Sequence, residues 1–356
     1  MSEYRFDQIA INSTEKKKPE ESDKYTYIGL EHLDSMDLEV HRWGSEVAPK
    51  GEKLLMKKGD VLFGKRRAYQ KKVVIAPFDG IFSAHGMVLR PNEKIVDKDF
   101  FPLFISSDYF LDAAIKISVG SLSPTINWRD LRELKFCLPD LETQRKLAKV
   151  LWAINATMQN YKVLLAKTDE LVKSQFIELF GTIEQSTEWK REKWSNVCEV
   201  RNGKDYKSVA CDDGEYPVYG SGGYMGRATE YSCPENTVIV GRKGTIDKPL
   251  LVQEKFWNVD TAFGIIPNAS ILHYQYLYWF CKQFDFLSLN KGTTLPSTTK
   301  VDLQNIEINV PPMDLQERFA LFVEQSDKSK FGKEMCDKWI LEIQNSWYQM
   351  YRILHQ

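Results

Sequence analysis

The chain has 356 residues, 43% of them hydrophobic, with 48 Lys+Arg against 49 Asp+Glu and a formal net charge of −1, which suffices for two or three ordinary cores. No apolar run approaches the length of a membrane span and the N-terminus Met-Ser-Glu-Tyr-Arg has no apolar signal region, so a cytoplasmic protein with no membrane partner is expected. Six scattered cysteines (137, 198, 211, 233, 281 and 336), none in a CxxC pair, argue against both a zinc site and a disulfide framework.

Residues 4–12 read as a short helix or strand, and Lys16 to Asp23 as a charged loop whose lysines form a solvated turn. Next come Tyr25–Leu30, Leu54–Met56, Val61–Phe63, Val73–Ile75 and Gly86–Leu89, β-rich runs separated by Gly, Pro and Asp turn signals, with Phe100–Ile117 as a helical insertion. Residues 1–140 thus make one mostly β domain. A long helix is predicted over 141–182, with Asp140 able to cap it and Gly181 suited to the left-handed position after its end. Its a and d positions hold Leu147, Leu151, Ile154, Met158, Tyr161, Leu165, Val172 and Leu179, interrupted where Thr168 and Gln175 occupy a. At 1.5 Å per residue it is about 60 Å long, which suits a spacer better than a core helix.

The chain then repeats itself. Gly120–Pro124, Asp130-Leu131, Pro139, Gln144 and Ala148 recur as Gly292–Pro296, Asp302-Leu303, Pro311, Gln316 and Ala320, every pair offset by 172 (292 − 120). Gly59–Arg66 matches Asn236–Lys243, and the aromatic helix Tyr274–Phe286 stands where Phe100–Ile117 stood. A period this long means two domain-sized halves rather than a solenoid. The second domain covers 183–312 and the second long helix 313–356, opened by the capping box Asp314-Leu-Gln-Glu317 and carrying Cys336, Ile340, Ile343, Trp347, Met350 and Leu354 at a and d spacing. Chain tracing then makes the two helices an antiparallel coiled coil with pseudo-two-fold symmetry, in an α+β fold of two mixed α/β, β-rich domains.

Catalytic constellations are missing. Asn309-Val-Pro-Pro-Met313 lacks the aromatic of an amino-methyltransferase loop, Gly220–Gly226 misses GxGxxG spacing, no GxxxxGK[ST] occurs, and the five histidines contain no HExxH pair. Charge distribution points to recognition instead, since Pro49–Lys72 holds nine Lys or Arg and two acids. Lys65, Arg66 and Arg67, extended by Lys71 and Lys72, and in the other half Arg242 and Lys243, follow β runs on loops where they can neutralise phosphates or reach guanine edges. Polar loops before the shared strand add Ser121, Ser123, Thr125 and Asn127 in one half and Lys291, Thr293, Thr294, Ser297, Thr298 and Lys300 in the other, with Tyr219 and Ser221 on a divergent loop.

Two such domains, each followed by a proline-initiated long helix with Leu-Pro-Asp-Leu-Glu-Thr-Gln144 and Val-Pro-Pro-Met-Asp-Leu-Gln316, resemble the specificity subunit of type I restriction-modification enzymes over essentially the whole chain. The resemblance implies a non-catalytic subunit that reads a two-part site on double-stranded DNA. It implies association with two methyltransferase subunits and with restriction subunits, which would supply S-adenosylmethionine, ATP and magnesium chemistry. The second helix departs from the pattern in its polar stretch Ser326–Lys333. The competing readings are a single-chain methyltransferase or nuclease and a scaffold without a nucleic-acid ligand.

Overall fold

Val61-Leu62-Phe63 is apolar at every position because both faces of its strand are covered. Alternate side chains point to opposite faces, so Val61 and Phe63 join a core with Val73, Met87, Leu89 and the phenylalanines of a helical layer, while Leu62, Val74 and Val88 join a second core with Ile28, Met56 and Phe82. A computed structural model describes residues 2–183, 189–290 and 296–327, in two compact units divided between Asn160 and Tyr161.

The first unit runs β1 (Ser2–Arg5), α1 (Phe6–Ile9), β2 (Ala10–Ser13), β3 (Lys16–Lys17), β4 (Tyr27–Ile28), β5 (Lys53–Met56), β6 (Val61–Phe63), β7 (Val73–Ile75), β8 (Gly80–Phe82), β9 (Met87–Pro91), α2 (Phe101–Ser106), α3 (Asp108–Lys116), α4 (Trp128–Leu131) and β10 (Lys135–Leu138) into α5 (Leu141–Phe180). β1 pairs with β10, one sheet is ordered β2-β9-β6-β7, and another β3-β5-β8-β4 with β4 and β8 parallel. Residues 4–12 hold strand and helix together, and Lys16-Lys17 pair with β5 rather than forming a turn. The expected insertion Phe100–Ile117 breaks into two helices at Ser107, whose Oγ accepts from the Phe110 N–H at 3.4 Å and caps α3.

The second unit repeats the plan with β11 (Arg191–Lys193), α6 (Trp194–Val197), β12 (Cys198–Asn202), β13 (Tyr216–Gly220), β14 (Gly223–Ala228), β15 (Thr237–Gly241), β16 (Leu250–Val252), β17 (Trp257–Asn258), β18 (Ala262–Pro267), α7 (Tyr274–Gln283), α8 (Lys300–Gln304), β19 (Glu307–Asn309) and α9 (Met313–Asp327). β11 pairs with β19, the main sheet is β12-β18-β15-β16, and β13 runs parallel to β17 as β4 does to β8. The strand sides alternate again, Val238 and Val240 facing the helices and Ile239 facing Phe256. What differs is β14, which extends β13 into a hairpin.

One buried side chain fastens each long helix to its own domain. Gln144 donates to the Pro139 and Ile95 carbonyls at 2.8 and 3.0 Å and accepts from the Asp97 N–H at 2.8 Å. Gln316 does the same with Pro311 at 2.8 Å, Ile271 at 3.0 Å and His273 at 2.8 Å, and both glutamines are fully buried. Asp140 caps α5 through the Thr143 N–H at 2.9 Å, and Gly181 ends it at φ +75°. In α9 the expected capping residue Asp314 lies inside the first turn, because the helix starts at Met313 and the Pro312 carbonyl takes the first N–H groups.

Six of the eight apolar a and d positions of α5 pack against the domains. Leu147 packs on the first core, Leu151, Ile154 and Met158 line an apolar groove with Leu38, Phe100 and Phe104, and Val172 and Leu179 join the second core, where Phe176 and Phe180 meet Phe319 of α9 at 5.4 and 5.5 Å. Tyr161 and Leu165 are half-buried. Ile340, Ile343, Trp347, Met350 and Leu354 lie outside the described residues.

Candidate nucleic-acid interface

After β6 the chain turns out of the sheet at Lys65–Arg67 and is held there by the loop that precedes α4. The Ile126 N–H donates to the Lys65 carbonyl at 2.9 Å, the Arg67 N–H donates to the Pro124 carbonyl at 2.7 Å, and Arg66 bridges to Thr125. Arg66 Nε also donates to Ser123 Oγ at 2.9 Å. The facing loop closes on itself through two bonds between Val119 and Thr125, with Gly120 at φ +112° making its corner. Cations and hydroxyls 57 residues apart therefore share one surface.

The second half builds the same junction. The Thr298 N–H donates to the Arg242 carbonyl at 3.0 Å, the Gly244 N–H donates to the Pro296 carbonyl at 3.0 Å, and Lys243 bridges to Ser297. Lys65, Arg66 and Arg67 thus correspond to Arg242, Lys243 and Gly244. The hairpin joins them, since Ser221 Oγ donates to the Lys243 carbonyl at 3.1 Å and Tyr219 sits edge-on to Tyr224 at 5.9 Å. Arg242 lies over the Phe263 ring at 5.9 Å.

Ion pairing sorts the cations. Among the described residues no carboxylate lies within 4.0 Å of Lys65, Arg66, Arg67, Arg242 or Lys243. Burial, with repulsion from Lys16, pulls the Lys65 ammonium below its ordinary value. An unpaired cation keeps its full field for a phosphate.

Other expected DNA-facing residues are occupied within the fold. Lys71 pairs with Asp108 at 2.6 Å and Asp112 at 3.5 Å and so braces the domain, while Lys72 donates to the Leu30 carbonyl at 2.7 Å and has no carboxylate within 4.0 Å among the described residues. Thr298 is 4% exposed and gives its hydroxyl to the Gly241 carbonyl at 2.8 Å, and Thr125 gives its own to Ser123 at 3.2 Å. Lys300 opens α8 and lines a separate cleft with Glu199 and Gln304. Ser121 and Asn127 are exposed on the first surface, while Lys291, Thr293 and Thr294 lie outside the described residues.

Several residues of these surfaces carry no signal in the sequence. Leu122 is 93% exposed at the tip of the loop beside Ser123, Tyr224 and Met225 stand out from the hairpin, and Lys16 lies close enough to act on Lys65. Apolar loop residues add nothing to a charge pattern, and only the strand pairing of Lys16 shows where it goes. Among the described residues there is no metal-binding group of three His, Cys, Asp or Glu, and no helix is long and apolar enough to cross a membrane.

The duplication decides the family. A profile described as the type I restriction modification DNA specificity domain matches residues 7–167 and again residues 186–334. The chain belongs to this family. Within the specificity family it is 26% identical to the type I restriction enzyme EcoDI specificity subunit of Escherichia coli, over 53% of this chain and 43% of that subunit, so the match spans less than half of the relative. A Methanocaldococcus jannaschii chain named for the specificity subunit of type I restriction enzyme MjaX is 22% identical over 88% of this chain and 83% of its own length. The crystal structure of the S subunit of a type I restriction-modification system from M. genitalium shares the fold, with a TM-score of 0.58 at 14% identity over 97% of this chain and 94% of that one.

Proposed function

We propose that this specificity-family chain reads a bipartite double-stranded DNA target for a cytoplasmic type I restriction-modification complex. Lys65–Arg67 with Ser121–Asn127 face one half-site, and Arg242, Lys243, Ser221 and Tyr219 face the other. One observation carries the reading: the same backbone junction, built twice, presents cations that no carboxylate among the described residues neutralises. Two methyltransferase subunits bringing S-adenosylmethionine, and restriction subunits using ATP and magnesium, would perform the chemistry, with this chain non-catalytic.

Basic side chains bind phosphates by releasing counterions, so the test is the salt dependence of DNA affinity. Replacing Lys65, Arg66 and Arg67 with Ala in the assembled complex should weaken binding and reduce the salt slope by about one for each phosphate that is no longer neutralised. Unchanged affinity and slope would remove these residues from the interface. Methylation by the purified chain alone would favour a single-chain methyltransferase instead.

A further inference from the structure

The two junctions differ at one corner. Gly244 occupies it in the second half with φ +82° and open space where a side chain would begin. In the first half the same corner holds Arg67, at φ +56° and ψ +51°. The positions correspond because each N–H closes on the equivalent proline, Pro296 or Pro124.

A left-handed backbone is costly for any residue with a Cβ, and Gly244 shows that this corner closes well with glycine. The arginine is therefore a worse choice for the fold. Its side chain is exposed and makes no hydrogen bond, ion pair or ring contact with another described residue. Its backbone is nonetheless fixed on both sides, with the N–H on Pro124 at 2.7 Å and the carbonyl accepting from Gln70 at 2.9 Å. Strain kept under a solvent-facing side chain on a binding loop points to a use outside the chain.

We infer that Arg67 determines specificity in the first half-site by donating in a bidentate fashion to O6 and N7 of a guanine in the major groove, and that the second half has no counterpart at this corner. The inference rests on the DNA-reading function proposed above. Phosphate binding does not call for a strained position, since Lys65 and Arg66 already offer charge from ordinary backbone. A guanine edge presents two acceptors side by side, which the planar guanidinium fork matches when it is held at one place and angle.

The experiment uses the full chain in its methyltransferase complex and the target found by methylation mapping. Each guanine of the half-site assigned to residues 1–140 is replaced in turn by 7-deazaguanine, which lacks the N7 acceptor. The wild-type complex should lose about tenfold in affinity at one position, as expected for half of a bidentate pair. Arg67→Gly should show no loss at that position, and it should raise the denaturation midpoint of the chain because glycine fits the corner.

Indifference of the wild type to every 7-deazaguanine in that half overturns the inference. So does an equal penalty in Arg67→Gly, a lower midpoint for that variant, or a weakening of binding that is uniform across sequences and lowers the salt slope, which marks a phosphate interaction. Failure of the wild-type complex to bind the target at all would instead remove the DNA-reading function itself.

Discussion

Gln144 and Gln316 make the same three hydrogen bonds in the two halves, whereas Arg67 and Gly244 put opposite chemistry at one shared corner. The difference lies in what each position must satisfy. Each glutamine is enclosed with backbone groups that have no other partner among the described residues, so its chemistry is fixed by the fold. The corner faces solvent, and there the fold itself closes with either a side chain or none. The molecule is a repeated frame whose buried fastenings agree and whose outer loops diverge.

The largest effect should come from breaking a fastening. Gln144→Met strands the Asp97 N–H and the Ile95 and Pro139 carbonyls, and should cost about 3 kcal/mol in denaturant unfolding of the first domain. Gln316→Met should cost the second domain a similar amount. Domain-resolved hydrogen exchange checks both, and a cost in one half alone would mean that the two fastenings are not equivalent.

A smaller contrast lies within one loop. Lys71→Ala removes a part-buried ion pair with Asp108, should cost about 1 kcal/mol of stability, and should leave the salt slope of DNA binding unchanged. Equal weakening of DNA binding by Lys71→Ala and Arg66→Ala would erase the distinction between paired and unpaired cations.

The smallest difference sits beside the two glutamines. Asp97 in the first half accepts from the Asp99 N–H at 3.0 Å and pairs with Arg145, while His273 in the second accepts from the Gln275 N–H at 3.2 Å. Burial holds the His273 imidazole below its ordinary value, opposed by Glu317 and Glu324. Below the unfolded value, about 6.5, the unfolded chain therefore takes up the proton first, and stability falls with acidification until the folded pKa is passed. His273→Asn, which keeps a capping group, should flatten this decline in second-domain unfolding between about pH 6.5 and 5. An unaltered pH profile would assign the decline to other groups.

The repeat, the long first helix with its cap and glycine stop, and several strands of the first domain are legible in the sequence because each rests on local spacing. Gly80–Phe82 is not legible as a strand, since three residues between turns show no period, and its place is fixed by pairing with Tyr27 and Leu55. The cation loops are legible as chemistry but not in their sorting. Nothing local separates Lys71 from Arg66, because Asp108 lies 37 residues away and only the fold brings it to Lys71. Thr298 looks like its neighbours in the sequence, and only burial gives its hydroxyl to Gly241.

The central claim is that each half reads its own part of the target. Replacing residues 1–140 with the corresponding segment of a relative, followed by base-resolution methylation mapping of the assembled enzyme, tests it most directly. The expected result is a new sequence in one half-site with the other half unchanged. A change in both halves together, or in neither half of an active complex, would contradict it.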